Sequence, residues 1–486
     1  MLYQRMNQLM EMNPQAPAIL LENEEVSYQD FIKEVDKLVD AFRKLNLDGS
    51  TPLAITINKS EVIWSAVIAA SHLGISVMLV DPNLKEEEMN KLMTLYKPHF
   101  QLSEDNKPEW QAESASQLEC FGSTFWLKDI GKHAQCWDEY VNPPNHETYF
   151  VLLTSGSTKV PSAVVKTVSS VMADGEQIGI SLGITSEDRV LCAAPVYHAF
   201  GSICGCFATF LRGASVSFIG AYVLPSSLEN RMYKRDCNIL MALPAHYKMI
   251  VKHVERPLDQ IRFALSSTAP LTKEVIDYCK EQLNLPIYNI YGSSEAGAIS
   301  IQKNHLFDSQ AVNLGQPVTG VHVKFDSSDV SEFHGEVVSE LLIKSQSLAK
   351  GYLQVEGIDD NEFAMEDGWW RTGDLGYLDQ NKELNIVGRV KTTINVNGKK
   401  VNAYEIEEVL SRHAAVLEVV VVGIPDTTRG EIPVAFVVLK ESVTEIELLK
   451  YCQLHLSDYK VPRQIVIKDS LPKTATGKIR RKEVHI

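Results

Sequence analysis

The sequence has no long apolar run, no excess of positive charge and no paired cysteine motif. No stretch reaches the ~18–20 consecutive apolar residues that a membrane-spanning helix requires. The net charge of −15 argues against nucleic acid as the main partner, because phosphate binding needs a basic surface. These absences exclude a transmembrane segment and disfavour a nucleic-acid-binding protein.

Eight cysteines are scattered along the chain without a CxxC pair or a metal-type spacing. Cys204 and Cys206 are separated by one residue and are expected to line a core rather than to bind a metal. This usage predicts reduced thiols in a cytoplasmic protein. The polar N-terminal residues 1–14 show no signal peptide, which favours the same location.

Length and composition indicate a globular protein with more than one domain. At 486 residues, the chain is too long for one ordinary core and is expected to form at least two domains. Its hydrophobic content of 45% and charged content of 22% are those of a soluble globular protein.

Strand-like and helix-like patterns alternate near the N-terminus. Pro52–Ile57 and Ser76–Val80 have the length and composition of buried strands, whereas Glu61–Leu73 and Leu84–Tyr96 have helical periodicity. Tyr28–Leu45 is a further predicted helix. This alternation predicts an α/β fold with a parallel sheet and helices on its faces.

A loop rich in hydroxyl groups follows the predicted strand Phe150–Leu153. It begins with Thr154–Thr158 (TSGST), and backbone N–H groups in such a loop can point at phosphate oxygens. An ordinary Ser/Thr turn is the alternative. The loop lacks the GxxxxGK[ST] pattern, which disfavours kinase-type phosphoryl transfer.

A histidine and a run of small residues follow another predicted strand. The buried strand in Val190–Phe200 leads to His198, and the small, apolar segment Gly201–Leu211 is predicted to be a helix that packs closely. The small residues Gly201–Gly205 favour a hydrophobic pocket for a fatty or aromatic tail, but they equally suit ordinary helix–sheet packing.

A glutamate follows a further predicted strand, Pro286–Asn289. The next segment is Ile290–Glu295 (IYGSSE), which ends in a carboxylate. Mg²⁺ prefers carboxylate and phosphate oxygens, so Glu295 is a candidate metal ligand. A solvated glutamate at the end of a strand is the alternative.

A stretch rich in charge and glycine, Gly368–Leu410, leads into the C-terminal region of the sequence. It contains a predicted tight turn at Arg371–Asp374 and the charged segment Gly388–Lys391. Asn397-Gly398 predicts a hairpin turn, and Tyr404–Arg412 predicts a helix with acidic residues at its start. We expect this stretch to be the joint between two domains.

The C-terminal region alternates strands and helices and ends in a basic tail, Leu471–Arg481 (LPKTATGKIRR). A solvated tail is the usual interpretation of such a charge run. Gly477, however, gives the backbone freedom to present Lys478 to a distant cleft.

These motifs together resemble the carboxylate-adenylating superfamily of acyl-CoA synthetases, adenylation domains and luciferases. The resemblance extends over Tyr28–Arg481 and is carried by YGSSE, by TGD followed by GRVK, and by PKTATGKIRR. The hydroxyl loop departs from the family pattern at Lys159, Ser162 and Ala163. Lys159 or Lys166 is the candidate to replace the usual phosphate-facing lysine.

The resemblance implies roles for the residues that match its motifs. Lys478, Glu295 and Ser294 are the implied catalytic residues, and Glu295 also holds Mg²⁺. Lys391 is the implied hinge, and Gly398 lines the channel for CoA. The implied acyl pocket includes His198, Phe200 and Gly201. The implied site for ATP and AMP consists of Thr154, Ser155, Gly156, Ser157, Thr158, Thr268, Ala269, Pro270, Asn289, Ile290, Tyr291, Gly292, Ser293, Ser294, Asp374 and Arg389. Thr268 stands where the family has glycine.

The fold implied by the resemblance is α/β with two domains. Residues 1–388 form a large AMP-binding domain of parallel and mixed sheets, sandwiched by helices, with a β-barrel-like subdomain. Residues 389–391 are the hinge, and residues 392–486 form a small, mobile α+β domain that carries the catalytic lysine.

The implied reaction joins a carboxylic acid to ATP as an acyl-adenylate, releases pyrophosphate and transfers the acyl group to the thiol of CoA. A carrier protein's phosphopantetheine is the alternative acceptor. An amino-acid-activating enzyme is disfavoured, because no aspartate follows His198 closely to hold an α-ammonium group. A non-catalytic protein that binds nucleotide or an acyl group is a third hypothesis, supported by the altered hydroxyl loop. The identity of the acid and the oligomeric state stay open.

Overall fold

The chain forms two compact units. The first comprises Met1–Asn304, Pro317–Val321 and Lys344–Glu366, and the second comprises His305–Gln316, His322–Ile343 and Asp367–Ile486. The predicted hinge at 389–391 concerns movement and stays a prediction. The computed structural model describes residues 1–104, 115–131, 147–154, 161–220, 224–269, 271–303, 312–328, 330–333, 335–354, 357–359, 366–396, 399–426, 429–473, 479 and 481–484.

The helices predicted at Tyr28–Leu45, Glu61–Leu73 and Leu84–Tyr96 are present, with bounds that differ by at most two residues. The helix at Tyr28 begins where Ser27 Oγ accepts a hydrogen bond from the Asp30 amide at 3.1 Å. Five of the helices that the structure describes were not predicted, namely Leu2–Met12, Val168–Leu182, Pro225–Lys234, Pro244–His253 and Lys273–Leu283. None of the described helices combines the length and apolarity that a membrane span needs. The helices are α1 (Leu2–Met12), α2 (Tyr28–Lys44), α3 (Ser60–His72), α4 (Glu86–Tyr96), α5 (Val168–Leu182), a π-helix (Phe200–Phe207), α6 (Ala208–Leu211), α7 (Pro225–Lys234), α8 (Pro244–His253), α9 (Lys273–Leu283), α10 (Ala403–Ser411) and α11 (Glu445–His455), with short 3₁₀ helices at Glu366–Gly368, Val390–Thr392 and Arg481–Glu483.

The strands were predicted less completely. The hairpin at Ala115–Cys120 and Ser123–Asp129 lies in a polar segment that showed only weak strand signals, and the strand Ser162–Thr167 was missed. The strands are β1 (Pro17–Leu20), β2 (Glu25–Ser27), β3 (Leu53–Thr56), β4 (Val77–Leu79), β5 (Phe100–Ser103), β6 (Ala115–Cys120), β7 (Ser123–Asp129), β8 (Tyr149–Thr154), β9 (Ser162–Thr167), β10 (Arg189–Cys192), β11 (Ser215–Phe218), β12 (Ile239–Ala242), β13 (Phe263–Ser266), β14 (Ile287–Ser293), β15 (Gly297–Gln302), β16 (Val312–Asn313), β17 (Gln316–Pro317), β18 (His322–Phe325), β19 (Ser331–Phe333), β20 (Glu336–Lys344), β21 (Gly351–Gln354), β22 (Gly357–Asp359), β23 (Trp370–Leu378), β24 (Leu384–Arg389), β25 (Thr393–Val396), β26 (Lys399–Asn402), β27 (Val416–Asp426), β28 (Gly430–Leu439) and β29 (Gln464–Ile467).

Two nine-stranded sheets form the framework of the predicted large domain. One has the order β17-β15-β14-β13-β12-β10-β11-β1-β2, and the other has the order β22-β21-β9-β8-β4-β3-β5-β7-β6. In the first sheet, β11, β10, β12, β13 and β14 run parallel. In the second, β3 runs parallel to β4 and β5, which confirms the predicted βαβα rhythm. Parallel strands bring the loops at their carboxyl ends to one edge, where ligands bind in open α/β sheets.

Two smaller sheets belong to the second unit. One has the order β16-β24-β23-β20-β18, with β19 paired to β20, and the barrel-like subdomain of the large domain stays a prediction. The β26-β25-β28-β27 sheet, with β29 paired to β28, packs with α10 and α11 around a core that includes Ile406, Leu410, Leu448 and Cys452. This arrangement is the predicted small α+β domain.

The predicted tight turn at Arg371–Asp374 is wrong. These residues lie inside β23, and the register with β20 shifts between Glu340 and Leu342. Gly373 has φ +73, which allows the extra residues to form a bulge within a continuous strand. The predicted turn at Asn397-Gly398 lies outside the described residues.

Candidate active site

Glu295 lies in the turn that joins β14 to β15. These strands run antiparallel, with Ser293 opposite Gly297, so that the motif residues Ile290 to Ser293 belong to β14. The Glu295 carbonyl accepts a hydrogen bond from the Ala349 amide at 2.8 Å. The backbone of the turn is therefore held by the chain segment that leads into β21.

The Glu295 side chain has a fixed orientation. Its Oε1 accepts a hydrogen bond from the phenol of Tyr352 at 2.8 Å, and Tyr352 belongs to β21. The side chain is only partly buried. A carboxylate that is oriented by one donor and still open to solvent suits a hard metal ion bound together with phosphate oxygens.

The loop after β13 contacts this motif directly. Ser267 Oγ donates a hydrogen bond to the Ile290 carbonyl at 3.2 Å. Thr268 follows with φ +75, a left-handed conformation that a β-branched residue rarely adopts. The backbone thus keeps the shape that glycine would take at this position. Ala269 ends the described part of the loop.

Two buried polar atoms on neighbouring strands lack hydrogen-bond partners within the described residues. They are Asn289 Oδ1 on β14 and Ser266 Oγ on β13, and the two residues are register partners. Buried polar atoms are normally paired. Asn289 Oδ1 is a pure acceptor and fits an amino group such as the exocyclic amine of adenine.

His198 follows β10 and precedes the π-helix. Its amide donates to the Pro195 carbonyl at 3.2 Å, and Phe200 and Gly201 begin the π-helix. A Cβ atom on Gly201 would lie 2.1 Å from the Pro195 carbonyl oxygen, so only glycine allows this approach. Loss of hydration lowers the pKa of His198 below its ordinary value, and the negative charge of Asp81 opposes this shift.

Asp374 and Arg389 form a pair in the second unit. They are register partners on β23 and β24, and Arg389 Nε lies 2.7 Å from Asp374 Oδ1. Asp374 is buried, whereas 54% of the Arg389 side chain is exposed. Lys391 follows in the 3₁₀ helix Val390–Thr392.

Several predicted residues lie outside the described residues, and their roles stay predictions. Thr154 is the last residue of β8, and its Oγ1 donates to the Ser162 carbonyl at 3.3 Å. Lys166, a candidate phosphate-facing cation, is completely buried, and its Nζ donates a hydrogen bond to the Ser294 carbonyl at 3.3 Å. The predicted residues outside the described part are Ser155, Gly156, Ser157, Thr158, Lys159, Pro270, Gly398 and Lys478.

Sequence reasoning missed the residues that support the Glu295 turn. Tyr352 was assigned no role, because it lies outside the motifs that carry the resemblance to the family. Asp174 had no signal, because a lone aspartate within a helical segment is ordinary. Both became evident only through their contacts.

Comparison with protein families supports the motif-based prediction. A family model described as AMP-binding enzyme matches residues 7–353, and one described as AMP-binding enzyme C-terminal domain matches residues 405–478. The chain is 26% identical over 487 residues to a 2-succinylbenzoate–CoA ligase of Listeria monocytogenes, with 97% of each chain covered. It is 30% identical over 358 residues to a probable CoA ligase, CCL9, of Humulus lupulus, covering 71% of this chain and 67% of the relative.

Solved structures show the same fold. The o-succinylbenzoate CoA synthetase (MenE) from Bacillus subtilis, in complex with its acyl-adenylate intermediate, matches with a TM-score of 0.76 and 23% identity, covering 99% of this chain and 97% of that one. ATP-bound MatB from Rhodopseudomonas palustris matches with a TM-score of 0.76 and 19% identity, covering 99% and 98%. The predicted fold class is confirmed. The first family model alone spans well over half of the sequence, and the chain therefore belongs to the AMP-binding enzyme family.

Proposed function

We propose that this AMP-binding enzyme is an acid–CoA ligase for 2-succinylbenzoate or a closely similar aromatic acid. The support is the full-length similarity to ligases of that name, at 26% identity over 97% of each chain. The relative from Bacillus subtilis with the same name is 25% identical and aligns over the whole of this chain. A fatty acid, the other tail that the sequence allowed, has no support from these relatives.

The observation that carries the proposed activity is the fixed carboxylate of Glu295. Tyr352 orients it, and the Ala349 amide holds its backbone at the end of a parallel strand. Glu295 would hold Mg²⁺ together with phosphate oxygens of ATP. When bound, the ion neutralises phosphate charge.

Other residues are proposed to bind the nucleotide. Asn289 Oδ1, which is buried without a hydrogen-bond partner in the described part of the chain, accepts from the adenine amine. Tyr291 lies against the base. Asp374 accepts hydrogen bonds from the ribose hydroxyls, with Arg389 beside it, and the Thr154–Thr158 loop binds phosphates.

The first half-reaction brings two anions together. An oxygen of the acid's carboxylate bonds to the α-phosphorus, and the bond from that phosphorus to pyrophosphate breaks. One positive charge at ~4 Å is worth roughly 4 kcal/mol at an effective dielectric constant near 20. Lys478 is proposed to supply this charge by bridging the carboxylate and the α-phosphate.

The second half-reaction transfers the acyl group. The CoA sulfur bonds to the acyl carbon as a thiolate, and the bond from that carbon to the AMP oxygen breaks. Lys391 is the proposed hinge about which residues 392–486 turn between the two half-reactions. His198, Phe200 and Gly201 are the proposed wall of the acyl pocket.

Pyrophosphate exchange tests the proposal. Wild-type protein, ATP and Mg²⁺ are combined in turn with 2-succinylbenzoate, benzoate and a medium-chain fatty acid. We expect exchange with 2-succinylbenzoate, its loss in Lys478→Ala, and its retention in Lys473→Ala, a matched change in the same tail. Lys473 forms an ion pair with Glu418.

Two outcomes would redirect the assignment. ATP binding without exchange for any acid would make the chain a binding protein. Thioester formation on a holo carrier protein in preference to CoA would change the acceptor.

We also propose a cytoplasmic location, supported by seven free cysteine thiols among the described residues.

A further inference from the structure

A completely buried ion pair lies beside the Glu295 turn. Lys166 belongs to β9 and Asp174 to α5, and neither side chain has exposed surface. The distance from Lys166 Nζ to Asp174 Oδ2 is 3.7 Å. Neither residue has a role in the proposed chemistry.

The pair contacts both sides of the turn. Lys166 Nζ donates a hydrogen bond to the Ser294 carbonyl at 3.3 Å. Asp174 Oδ1 accepts a hydrogen bond from the Ala298 amide at 3.0 Å. The two charges therefore fix the peptide groups before and after Glu295.

Shape as well as charge holds Asp174 against the turn. A Cβ atom on Gly297, which has φ +76, would lie 2.2 Å from Asp174 Oδ2. That oxygen has no hydrogen-bond partner within the described residues and lies 3.7 Å from Lys166 Nζ. The carboxylate thus has one position available.

Stability alone gives no reason to bury these charges. Loss of hydration lowers the pKa of Lys166 and raises the pKa of Asp174, and their mutual attraction opposes both shifts. An apolar pair of similar volume is commonly as stable as a buried ion pair, or more stable. The contacts of Lys166 and Asp174 with the Ser294 and Ala298 peptide groups supply a reason for burying the ion pair.

We propose that Lys166 and Asp174 are positioning residues for the metal ligand Glu295. By holding the Ser294 carbonyl and the Ala298 amide, they keep the Glu295 carboxylate in the orientation that binds magnesium–ATP. This inference rests on the proposed function, because it needs Glu295 to bind the metal–nucleotide complex. Residues that orient a metal ligand commonly change metal affinity by about 10–100-fold when they are replaced.

The test removes both charges together. Lys166→Met alone leaves Asp174 buried without its counter-charge and can unfold the protein, whereas Lys166→Met/Asp174→Leu removes the whole pair. The matched control is Lys460→Met/Glu405→Leu, which removes a partly buried pair, 2.7 Å apart, in the second unit. ATP affinity is measured calorimetrically at several Mg²⁺ concentrations, and the urea midpoint reports folding.

We expect the Lys166→Met/Asp174→Leu protein to fold and to need about tenfold more Mg²⁺ for tight ATP binding. Its ATP affinity without Mg²⁺ should equal that of wild type. The control variant should match wild type both in its Mg²⁺ requirement and in its ATP affinity without Mg²⁺. A folded variant with the wild-type Mg²⁺ dependence would overturn the inference.

A measurement on wild type covers the case in which the variant does not fold. The Ala298 amide should exchange with deuterium slowly, because Asp174 accepts its hydrogen bond, and fast exchange would also overturn the inference. Calorimetry needs no acid. A wild-type protein that binds magnesium–ATP but shows no pyrophosphate exchange would therefore contradict the proposed reaction and leave the positioning role in place.

Discussion

The phenol of Tyr352 donates a hydrogen bond to Glu295 Oε1, with 2.8 Å between the two oxygens. Tyr352 lies on β21, whereas Glu295 lies in the turn after β14, a strand of a different sheet. Tyr352 follows Ala349 by three positions in the sequence, and the Ala349 amide holds the Glu295 backbone. One short segment therefore fixes both the backbone and the side chain of the proposed metal ligand.

Tyr352→Phe should weaken magnesium–ATP binding. The change removes the donor but keeps the ring, and a hydrogen bond to a charged group contributes about 1.5–3 kcal/mol. We expect the KM for magnesium–ATP in pyrophosphate exchange to rise by roughly tenfold or more. Tyr233→Phe is the matched control, because it removes a phenol that donates to the Pro257 carbonyl. Equal KM values in the two variants would contradict the role of Tyr352.

Asp374→Asn should weaken ATP binding through the ribose. The carboxylate is buried beside Arg389, and an amide keeps its shape but loses its charge and one acceptor. We expect a loss of affinity of about 10–100-fold, which is ~1.4–2.8 kcal/mol. Calorimetric titration with ATP measures it. Asp326→Asn is the control, because Asp326 forms an ion pair with Arg371, which lies on β23 like Asp374. The ATP affinity of the Asp326→Asn protein should equal that of wild type.

The β14–β15 hairpin shows which parts of the site local patterns can predict. The strand and the IYGSSE motif were predicted because their signals lie within a few residues of one another. The contact between Tyr352 and Glu295 joins residues 57 positions apart, and that between Lys166 and Ser294 joins residues 128 apart. No periodicity encodes such pairs, so the supporting residues of the site were not predicted.

Strand β23 shows how sheet pairing overrides local turn signals. Glycine and aspartate at Arg371–Asp374 favour a turn, yet β20 and β24 flank the segment and keep it extended. The helix predicted at Gly201–Leu211 is present, but its first part is a π-helix. In the π-helix, Gly201 lies in close contact with the Pro195 carbonyl oxygen. Helical periodicity in the sequence does not indicate such a contact.

Thr268→Gly should stabilise the protein. A non-glycine residue in the left-handed region costs roughly 1–2 kcal/mol, and replacement by glycine removes this strain. The greater conformational entropy of glycine in the unfolded chain offsets about 0.4–1 kcal/mol of the resulting stabilisation. We expect the free energy of unfolding to rise by about 0.5–1 kcal/mol in urea titrations. The control is Thr272→Gly, because Thr272 has φ −75 and precedes α9, and that change should destabilise. A loss of stability in Thr268→Gly would contradict the strain.

Stability should fall above about pH 9 because of buried cysteines. Burial raises the pKa of Cys279 from 9.0 to about 12. The unfolded chain loses this proton above pH 9 while the folded chain keeps it, so unfolding is favoured as the pH rises towards 12. In Cys279→Ala, the slope of unfolding free energy against pH between 9 and 10.5 should be shallower by up to about 1.4 kcal/mol per pH unit. An unchanged slope would show that Cys279 does not titrate this way.

Two glutamates on α10 offer a test of how the basic tail is held. Both Glu407 oxygens accept from Arg481, at 2.6 and 3.0 Å, and the guanidinium group lies 5.0 Å from the centre of the Tyr404 ring. Glu405 instead accepts from Lys460 at 2.7 Å. Arg481 follows Lys478 by three residues in the sequence.

Glu407→Gln should therefore slow the first half-reaction selectively. It weakens the anchor of Arg481, and a misplacement of about 1 Å can cost a factor of about 10² in rate. We expect pyrophosphate exchange to fall by about that factor, while thioester formation from supplied acyl-adenylate and CoA, which does not need Lys478, stays near wild type. Glu405→Gln disturbs a pair of similar burial on the same helix and should change both half-reactions equally. If Glu407→Gln slowed both half-reactions to the same extent, the Arg481 anchor would serve folding of the small domain rather than placement of the lysine.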